Sequence, residues 1–410
     1  MLSDLKNTER VISLSENAVF LAGVLRGAIY DFGSGKVFWV SKEAQDAIIK
    51  FSGRTDLPIE IADYFNLLSR NGLYSKSIAG STYSPERPEL EILTTVWLEL
   101  TLGCNERCLH CYTGQNHPVS VKPLSSRNWQ NVISQINQIG AQKIILIGGE
   151  PCIHPEIDKI ILAASQTGIR TTLFTNGTLL SNELIEIIVK SSVEVKFSIY
   201  GHNSKIHDSI TRMAGSFDLL NSNIEKLLAS GVKVTPAIVV MKENQDYLAE
   251  IRAYIESIGL FYNGYDVIRE VFAGNQSDHV PTNQNILSRA FRTKPNFSIT
   301  KAQFDSRMFY NGCWWGKIAI LANGDVTPCV FERLRICGNI LDSAIKDIIS
   351  SKEMKACWEH DYSKVDDCKV CEFRMACKDC RPVATCSTNN PRSKSPRCLY
   401  RPDKGIWNEL

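Results

Sequence analysis

The 410-residue sequence has no long apolar run, no excess of charge of one sign and no tandem repeat. No apolar stretch approaches the 18 or so residues that a membrane-spanning helix needs, so we expect no membrane partner. The 46 basic residues are balanced by 44 acidic ones, which gives no electrostatic reason to expect nucleic acid as a partner. The N-terminus carries charges where a signal peptide has its apolar segment, so we expect a cytoplasmic protein.

Cysteine, in contrast, is plentiful, with 14 residues. Disulfides are rare in a reducing cytosol and belong mostly to small secreted domains. Three of the cysteines stand together at Cys104, Cys108 and Cys111, and ten more lie between Cys313 and Cys398. Clustered cysteines in a cytosolic chain indicate metal ligands before they indicate disulfides.

The hydrophobic pattern divides the chain into three parts. Residues 27–31 and 36–40 flank a good hairpin turn, two helices follow, and the polar residues 75–88 are predicted to be a linker. From about residue 94, six predicted strands alternate with helices, which indicates a parallel sheet with right-handed crossovers. The loops that carry the chemistry should then follow the carboxyl ends of the strands. Beyond about residue 300 the pattern gives way to short elements.

The first cysteine group follows the first strand of this alternating region. Cys104, Cys108 and Cys111 have the spacing C-x3-C-x2-C, so three thiolates from one loop can surround one cluster. Three ligands leave one iron of a four-iron cluster open for another ligand. Zinc is a weaker interpretation, because a structural zinc site needs a fourth protein ligand. Buried cysteines acting as small apolar side chains are the other alternative.

The second strand of the alternating region ends in Gly148, Gly149 and Glu150. Glycines permit close approach of the backbone to a ligand, and a carboxylate accepts a charge-assisted hydrogen bond from an ammonium group. A tight turn is the alternative for these residues. Cys152, directly after them, is interpreted as a small buried side chain rather than a ligand.

Together these motifs resemble the radical S-adenosylmethionine (SAM) enzymes. The cysteine loop followed by Tyr112 is similar to the signature of that superfamily, and residues 148–151 are similar to its GGEP element. The resemblance implies a [4Fe–4S] cluster on Cys104, Cys108 and Cys111 that binds SAM, from which a 5′-deoxyadenosyl radical arises. The candidate SAM-binding residues are Tyr112, Gly148, Gly149, Glu150, Asn176, Ser198 and Arg212.

The C-terminal cysteines resemble a SPASM domain, which follows radical SAM barrels in peptide-modifying enzymes. Cys377 and Cys380 are separated by two residues where that pattern has three. The resemblance implies one or two auxiliary [4Fe–4S] clusters. The distal cluster would be held by Cys368, Cys371, Cys377 and Cys398, and the nearer one by Cys313, Cys329 and Cys380. Cys337, Cys386 or neither would complete the nearer site. Paired C-x2-C motifs are also typical of zinc ribbons, which remain the alternative.

The resemblance implies an α/β fold with three domains. A small winged-helix-like module at 1–85 would recognise a leader peptide, a partial (β/α)6 TIM-like barrel would occupy 92–300, and the SPASM domain would occupy 305–410. Leader binding would proceed by β-augmentation, in which an extended peptide adds a strand to a sheet edge. A plain structural domain and a DNA-binding winged helix are the alternatives, and mixed charge disfavours DNA.

The sequence therefore predicts a radical SAM/SPASM peptide maturase. It would install a C–C or C–S crosslink, or a related oxidative modification, in a ribosomally synthesised precursor peptide. The expected partners are that peptide with its leader and a reductant of the flavodoxin or ferredoxin type. No catalytic residue or general base is assigned. The alternatives are an enzyme of the anaerobic sulfatase-maturing type and a zinc-stabilised peptide-binding protein without catalysis.

Overall fold

The computed structural model describes residues 11–89, 93–114, 122–271, 276–291, 297–388 and 390–410. The chain forms two compact units, each assembled from segments that are distant in sequence. Unit 1 comprises Met1–Glu89, Phe291–Cys313 and Glu359–Leu410, and unit 2 comprises Leu90–Ala290 and Trp314–Trp358. The three-domain division stays a prediction. Of the helices described, none has the length and apolar character needed to cross a bilayer.

Unit 1 begins with a four-stranded antiparallel sheet in the order β1-β2-β3-β4, followed by two helices. These elements are β1 (Val11–Ser15), β2 (Ala18–Ala22), β3 (Gly27–Asp31), β4 (Lys36–Val40), α1 (Lys42–Phe51) and α2 (Ile59–Arg70). The predicted hairpin of β3 and β4 is confirmed, and its turn is held by Asp31, whose Oδ1 accepts from the Gly33 amide at 2.9 Å. The pattern did not predict β1.

The sheet of unit 1 is covered on both faces. Phe20, Ile29 and their neighbours pack against side chains of α1 and α2, including Ile48 and Phe65. On the other face, Tyr30 and its neighbours pack with Phe304, Phe373 and Tyr400 from the later segments of the unit. This two-sided burial explains why β1 to β3 are nearly continuous apolar runs rather than alternating ones.

The predicted linker at 75–88 is in part an ordered strap along β1. Ser75 donates its amide to Leu14 O at 2.7 Å, and the Ser13 amide donates to Ser81 O at 2.9 Å. The Tyr83 amide donates to Val11 O at 2.8 Å. The polar composition of this segment gave no sign of strand pairing, but the outer edge of β1 offers its backbone the partners that an extended segment needs.

Unit 2 contains the predicted alternation of six parallel strands with helices, arranged as a partial barrel. Its strands are β5 (Thr95–Glu99), β6 (Lys143–Ile147), β7 (Arg170–Thr175), β8 (Glu194–Ile199), β9 (Val234–Val240) and β10 (Asp266–Val267). Its helices up to residue 290 are α3 (Ser126–Gln138), α4 (Ile157–Ser165), α5 (Asn182–Lys190), α6 (Ser204–Thr211), α7 (Ser216–Ala229), α8 (Leu248–Ser257) and α9 (Gln284–Ala290). The pattern did not predict α6, which begins at the side-chain cap of Asn203.

The last third of the chain is divided between the units. Its elements are α10 (Lys301–Arg307), β11 (Lys317–Ile320), β12 (Asp325–Thr327), β13 (Gly338–Asn339), α11 (Ile345–Ser350), α12 (Lys352–Trp358), α13 (Arg381–Thr388), β14 (Tyr400–Arg401) and β15 (Ile406–Trp407). In unit 2, β11 pairs in parallel with β5, and β12 and β13 extend the sheet antiparallel. Nine strands thus form one sheet whose ends are β10 and β13.

Candidate active site

The loop that carries the first three cysteines follows β5 and is held in shape by backbone contacts to α6. The Arg107 amide donates to Thr211 O at 2.9 Å, and the Leu109 amide donates to Ile210 O at 3.0 Å. Burial raises the pKa of the Cys104 thiol to about 12 and raises the pKa of Cys108 well above its usual value. Such thiols are poor nucleophiles on their own, and a cationic metal centre is what would hold them as thiolates.

Gly148 and Gly149 join this loop to the carboxyl end of β6. The Gly149 amide donates to Thr101 O, and the Glu150 amide donates to Gly103 O, both at 2.8 Å. A Cβ atom at Gly148 would lie 2.5 Å from Thr101 O, and one at Gly149 would lie 2.4 Å from Gly103 O. Both positions therefore require glycine so that the two loops can approach, a packing role that operates before any ligand is considered.

Glu150 lies behind the site rather than in its wall. The residue has no exposed surface, and its carboxylate accepts from Thr175 Oγ1 and the Asn176 amide at 2.7 Å and from the Cys152 amide at 3.0 Å. Burial raises the pKa of Glu150, and these hydrogen bonds oppose that shift. The carboxylate thus ties the end of β6 to the end of β7. Its predicted contact with an ammonium group of SAM stays a prediction.

A cavity of about 580 Å³ opens at the carboxyl ends of the barrel strands, within the size range of sites for small organic ligands. Eight of the predicted cluster- and SAM-binding residues line it: Cys104, Cys108, Cys111, Tyr112, Gly148, Gly149, Asn176 and Ser198. Apolar side chains form much of the remaining wall, among them Trp97, Ile145, Phe174 and Phe331.

Arg212 is placed differently from the other predicted residues. It lies outside the lining of this cavity, is exposed, and ends α6 in the left-handed conformation with φ of 55°. The predicted contact of its side chain with the SAM carboxylate therefore stays a prediction. Asn176 lines the cavity, and its Nδ2 donates to Asn105 Oδ1 at 2.8 Å and so joins the β7 loop to the cysteine loop, while its contact with SAM stays a prediction.

Two further residues of the cysteine loop, Glu106 and His110, line the cavity and were not predicted. Glu106 Oε1 and His110 Nδ1 are enclosed and have no hydrogen-bond partner among the described residues. Burial raises the pKa of Glu106 to about 7 and lowers the pKa of His110 to about 4. Unsatisfied polar atoms are rare in folded interiors unless a ligand or water completes them. Three thiols, two unpartnered polar atoms and an adequate volume together fit a cluster with a bound organic ligand.

Tyr112 closes the side of the cavity toward the C-terminal part of unit 2. Its ring packs edge-to-face on Phe331 at 5.3 Å, and its hydroxyl donates to Gly148 O at 3.4 Å. Burial raises the pKa of Tyr112 well above its usual value, and Cys111 and Cys329 are both near enough to add to that shift. Tyr112 therefore lies close to one cysteine of the predicted SAM-binding cluster and one of the predicted nearer auxiliary cluster.

The four cysteines assigned to the distal cluster all belong to unit 1, where several of them are near enough to affect one another's pKa. Burial and the neighbouring Cys377 and Cys398 raise the pKa of Cys368. Burial, Glu372 and the neighbouring Cys368 and Cys377 raise the pKa of Cys371. Of the nearer set, Cys313 and Cys380 belong to unit 1 and Cys329 to unit 2. Both ligand sets stay predictions.

The two spare candidates for the nearer cluster differ in their surroundings. The Cys337 thiol donates to Arg335 O at 3.5 Å, the neighbouring Cys357 and burial raise its pKa, and both cysteines are buried in unit 2. Cys386 lies on α13 in unit 1. The assignment of Cys337, Cys386 or neither as a further ligand stays open.

Comparison with known proteins identifies two domains. Residues 98–255 match the radical SAM superfamily, and residues 313–381 match the SPASM iron–sulfur cluster-binding domain. The first domain implies a [4Fe–4S] cluster and SAM, and the second binds auxiliary iron–sulfur clusters. The three thiols that line the cavity fit the [4Fe–4S] cluster that binds SAM.

The chain is also similar to individual proteins. An AdoMet-dependent heme synthase of Methanosarcina barkeri is 25% identical over 336 residues, which cover 75% of this chain and 96% of the relative. The subtilosin biosynthesis protein AlbA of Bacillus subtilis is 25% identical over 272 residues, 64% of this chain and 60% of AlbA. The crystal structure of Streptococcus suis SuiB bound to S-adenosylmethionine has a TM-score of 0.57 at 16% identity, covering 94% of this chain and 98% of SuiB. The chain therefore combines a radical SAM domain with a SPASM domain.

Proposed function

We propose that the protein is a peptide maturase that installs a C–C or C–S crosslink, or a related oxidative modification, in a ribosomally synthesised precursor peptide. The observation that carries the proposal is an open, apolar sheet edge in unit 1 of a chain that also has the three-thiol cavity. AlbA and SuiB support it, because AlbA is a bacteriocin biosynthesis protein and SuiB has been crystallised with its precursor peptide SuiA.

The open edge belongs to β4. Among the described residues, backbone pairing reaches its outer side only at the start, where the Ile299 amide donates to Gly35 O at 3.0 Å and Lys36 bridges to Ser298. Phe38 and Trp39 expose 42% and 53% of their surface, which is unusual for large apolar side chains on a strand. An extended leader peptide would add a strand here, with backbone hydrogen bonds for affinity and apolar side chains for selectivity.

The cavity residues have separable roles in this proposal. Cys104, Cys108 and Cys111 would hold the cluster. Gly148, Gly149, Asn176 and Ser198, with Tyr112, would position SAM, and Glu150 would support them from behind. The cluster and SAM, when bound, supply the radical that removes a hydrogen atom from the peptide. The apolar wall excludes water from that step. Arg212 is kept as a proposed carboxylate contact.

In this proposal, the clusters held by the C-terminal cysteines would transfer electrons. Closing a crosslink removes two hydrogen atoms from the peptide. The 5′-deoxyadenosyl radical would take the first, and the second would leave as a proton, released to solvent, and an electron. An auxiliary cluster held by the C-terminal cysteines would accept that electron. A reductant of the flavodoxin or ferredoxin type would supply the electron that begins the reaction.

A second candidate function is the modification of a porphyrin. The heme synthase of M. barkeri aligns over 96% of its own length with this chain, more than AlbA does. The substrate in that case would be an iron porphyrin rather than a peptide, and the leader-binding role of β4 would be lost.

The proposal is tested with the full chain, reconstituted anaerobically with iron and sulfide. The substrates compared are candidate precursor peptides, taken from any short open reading frames beside the gene, and Fe-coproporphyrin III, the porphyrin that names another relative from M. barkeri. We expect the peptide alone to become lighter by two hydrogen atoms, with 5′-deoxyadenosine formed alongside, as measured by mass spectrometry. Conversion of the porphyrin but not the peptide would overturn the proposal in favour of the second candidate.

The leader site is tested by replacing Phe38 and Trp39 together with Ala. Loss of two apolar anchors from an interface weakens binding by about tenfold or more, so leader affinity should fall by that factor in a fluorescence titration. SAM cleavage without peptide should be unchanged. The control is Ile59→Ala, which removes a still more exposed apolar side chain from α2. Equal affinity in all three proteins would place the leader elsewhere.

A further inference from the structure

Lys196 is a charged residue in the interior of the barrel that the cofactor sites do not account for. It lies in the middle of β8, where it is paired with Phe174 of β7 and Thr235 of β9. Its side chain lines the cavity, and its Nζ lies 5.0 Å from the centre of the Phe174 ring. Lys196 is two residues nearer the start of the strand than Ser198, so it lies deeper than the loops predicted to bind SAM.

Lys196 has no carboxylate partner among the residues that the structure describes. The carboxylate on the same face of its own strand, that of Glu194, is held by Arg170 at 3.0 Å and by Lys233 at 2.6 Å. The ammonium group of Lys143 is close enough to feel the charge of Lys196, which adds a repulsive neighbour. A half-buried ammonium group without a counter-ion is unfavourable unless a ligand supplies the opposite charge.

A second cation, Arg269, lines the same cavity. Its guanidinium lies 4.9 Å from the centre of the Phe331 ring, and its contact to Asp266 is long, at 3.6 Å. Asp266 is 73% exposed, so this pair is well hydrated and weak. The other carboxyl group in the wall is that of Glu106, whose Oε2 accepts from the Cys108 thiol at 3.2 Å and whose Oε1 has no partner among the described residues. Among the described residues, neither carboxyl group of the wall forms an ion pair with Lys196.

We propose that Lys196, assisted by Arg269, binds a carboxylate of the substrate inside the cavity. The proposal rests on the proposed function in that the cavity receives a substrate, and it names the chemistry of that substrate. The ligand is an Asp or Glu side chain of the precursor peptide near the residue that is modified. A charge-assisted hydrogen bond in a largely apolar cavity would fix the position of the peptide relative to the radical.

The first experiment needs no identified peptide. The reconstituted full chain with SAM bound is treated with limiting acetic anhydride, and acetylation of Lys196 is measured by mass spectrometry. The probes are N-acetylglutamate amide and N-acetylglutamine amide, which differ only in the side-chain carboxylate. We expect the acid to protect Lys196 and the neutral amide not to, with Lys159 on α4 acetylated equally in both. Equal labelling of Lys196 with the two probes would overturn the proposal.

The second experiment uses the precursor peptide and the variants Lys196→Met and Lys196→Arg. Loss of a charged hydrogen bond changes binding by roughly tenfold to a hundredfold, so Lys196→Met should raise KM for the peptide by that factor with a smaller change in kcat. Lys196→Arg should restore most of the affinity. Replacing the recognised acid of the peptide by its amide should have the same effect on the wild type and none on Lys196→Met.

The outcomes separate this proposal from the proposed function. If Lys196→Met weakens SAM binding instead, the carboxylate belongs to SAM and the proposal fails. If the peptide is modified but neither protection nor a change in KM is seen, the proposal fails and the proposed function stands. If no peptide is modified but the acid probe still protects Lys196, the proposed function fails and the carboxylate site stands, with Fe-coproporphyrin III as the next probe.

Discussion

The two cysteine groups of this protein are built in opposite ways. Cys104, Cys108 and Cys111 come from one loop of unit 2, line a cavity, and have unpartnered polar atoms beside them at Glu106 and His110. The four cysteines of the proposed distal site in unit 1 lie between residues 368 and 398, and two of them, Cys371 and Cys398, pack against the apolar core. Three protein ligands beside a cavity suit a cluster that binds another molecule, and four protein ligands suit a cluster that only transfers electrons.

The largest expected effect is the loss of SAM cleavage when one of the three cysteines beside the cavity is removed. Cys108→Ala removes one of three ligands from a loop that offers no fourth thiol, so we expect 5′-deoxyadenosine formation to fall to the level of protein without cluster. The readout is liquid chromatography of the anaerobic reaction with a chemical reductant. Cys152→Ala is the control, because that half-buried thiol lies next to Thr175 at 3.7 Å outside the C-x3-C-x2-C motif. Equal loss in the control would show that damage to the fold, not ligand loss, is responsible.

Removing a ligand of the proposed distal cluster should affect peptide modification but not SAM cleavage. Cys371→Ala should lower the iron content by one cluster while 5′-deoxyadenosine formation without peptide continues. Modified peptide should fall by more than the roughly tenfold to hundredfold that loss of an outer-shell partner causes at a metal site. Iron analysis and peptide mass spectrometry measure the two effects. Undiminished crosslinking with one cluster missing would contradict the electron-transfer role.

The site beside the cavity was easier to predict from sequence than its surroundings. Cys104, Cys108, Cys111, Gly148 and Gly149 lie in two short motifs, and local spacing is enough to predict them. The alternating strands and helices of unit 2 were predicted because each element carries its own apolar period. These features need no knowledge of which distant segment packs against them.

The features that sequence reasoning missed depend on distant partners. Lys196 is one charged residue in an ordinary strand, and only the cavity and the occupied carboxylate of Glu194 make it unusual. The strap at 75–83 is polar, and its order comes from the edge of β1. A single sequence does not show whether a lysine such as Lys196 has a carboxylate nearby in the folded chain.

Each cysteine group also has a buried carboxylate beside it, and the two differ in their hydrogen bonds. Both oxygens of Glu150 accept from the protein. Glu372 accepts from the Tyr400 hydroxyl through Oε1, while Oε2 is enclosed without a partner among the described residues. The first carboxylate is satisfied as an anion, and the second is better satisfied with a proton.

Glu150→Gln should therefore destabilise the folded protein. Whichever way the amide is turned, its NH2 group meets the amide of Asn176 or that of Cys152, and one buried backbone N–H loses its acceptor. The loss should be about 1–3 kcal/mol, measured by denaturant unfolding of the full chain. We also expect weaker SAM binding, since the β7 loop that carries Asn176 loses its tie to β6. Unchanged stability would mean that the carboxylate does not join the two strands.

The smallest expected effect is the pH dependence at Glu372. Burial raises the pKa of Glu372 in the folded chain above its usual value. The folded state therefore holds this proton at pH values where the unfolded chain has released it, so stability is lost as pH rises above the usual carboxyl pKa of about 4.3. Glu372→Gln keeps the neutral form at every pH and retains an acceptor for Tyr400. Thermal unfolding should show Glu372→Gln becoming more stable relative to the wild type as pH increases. The prediction fails if the unfolding temperatures of the wild type and of Glu372→Gln change in parallel with pH above about 4.3. That result would mean that the Glu372 carboxyl group is ionised in the folded chain.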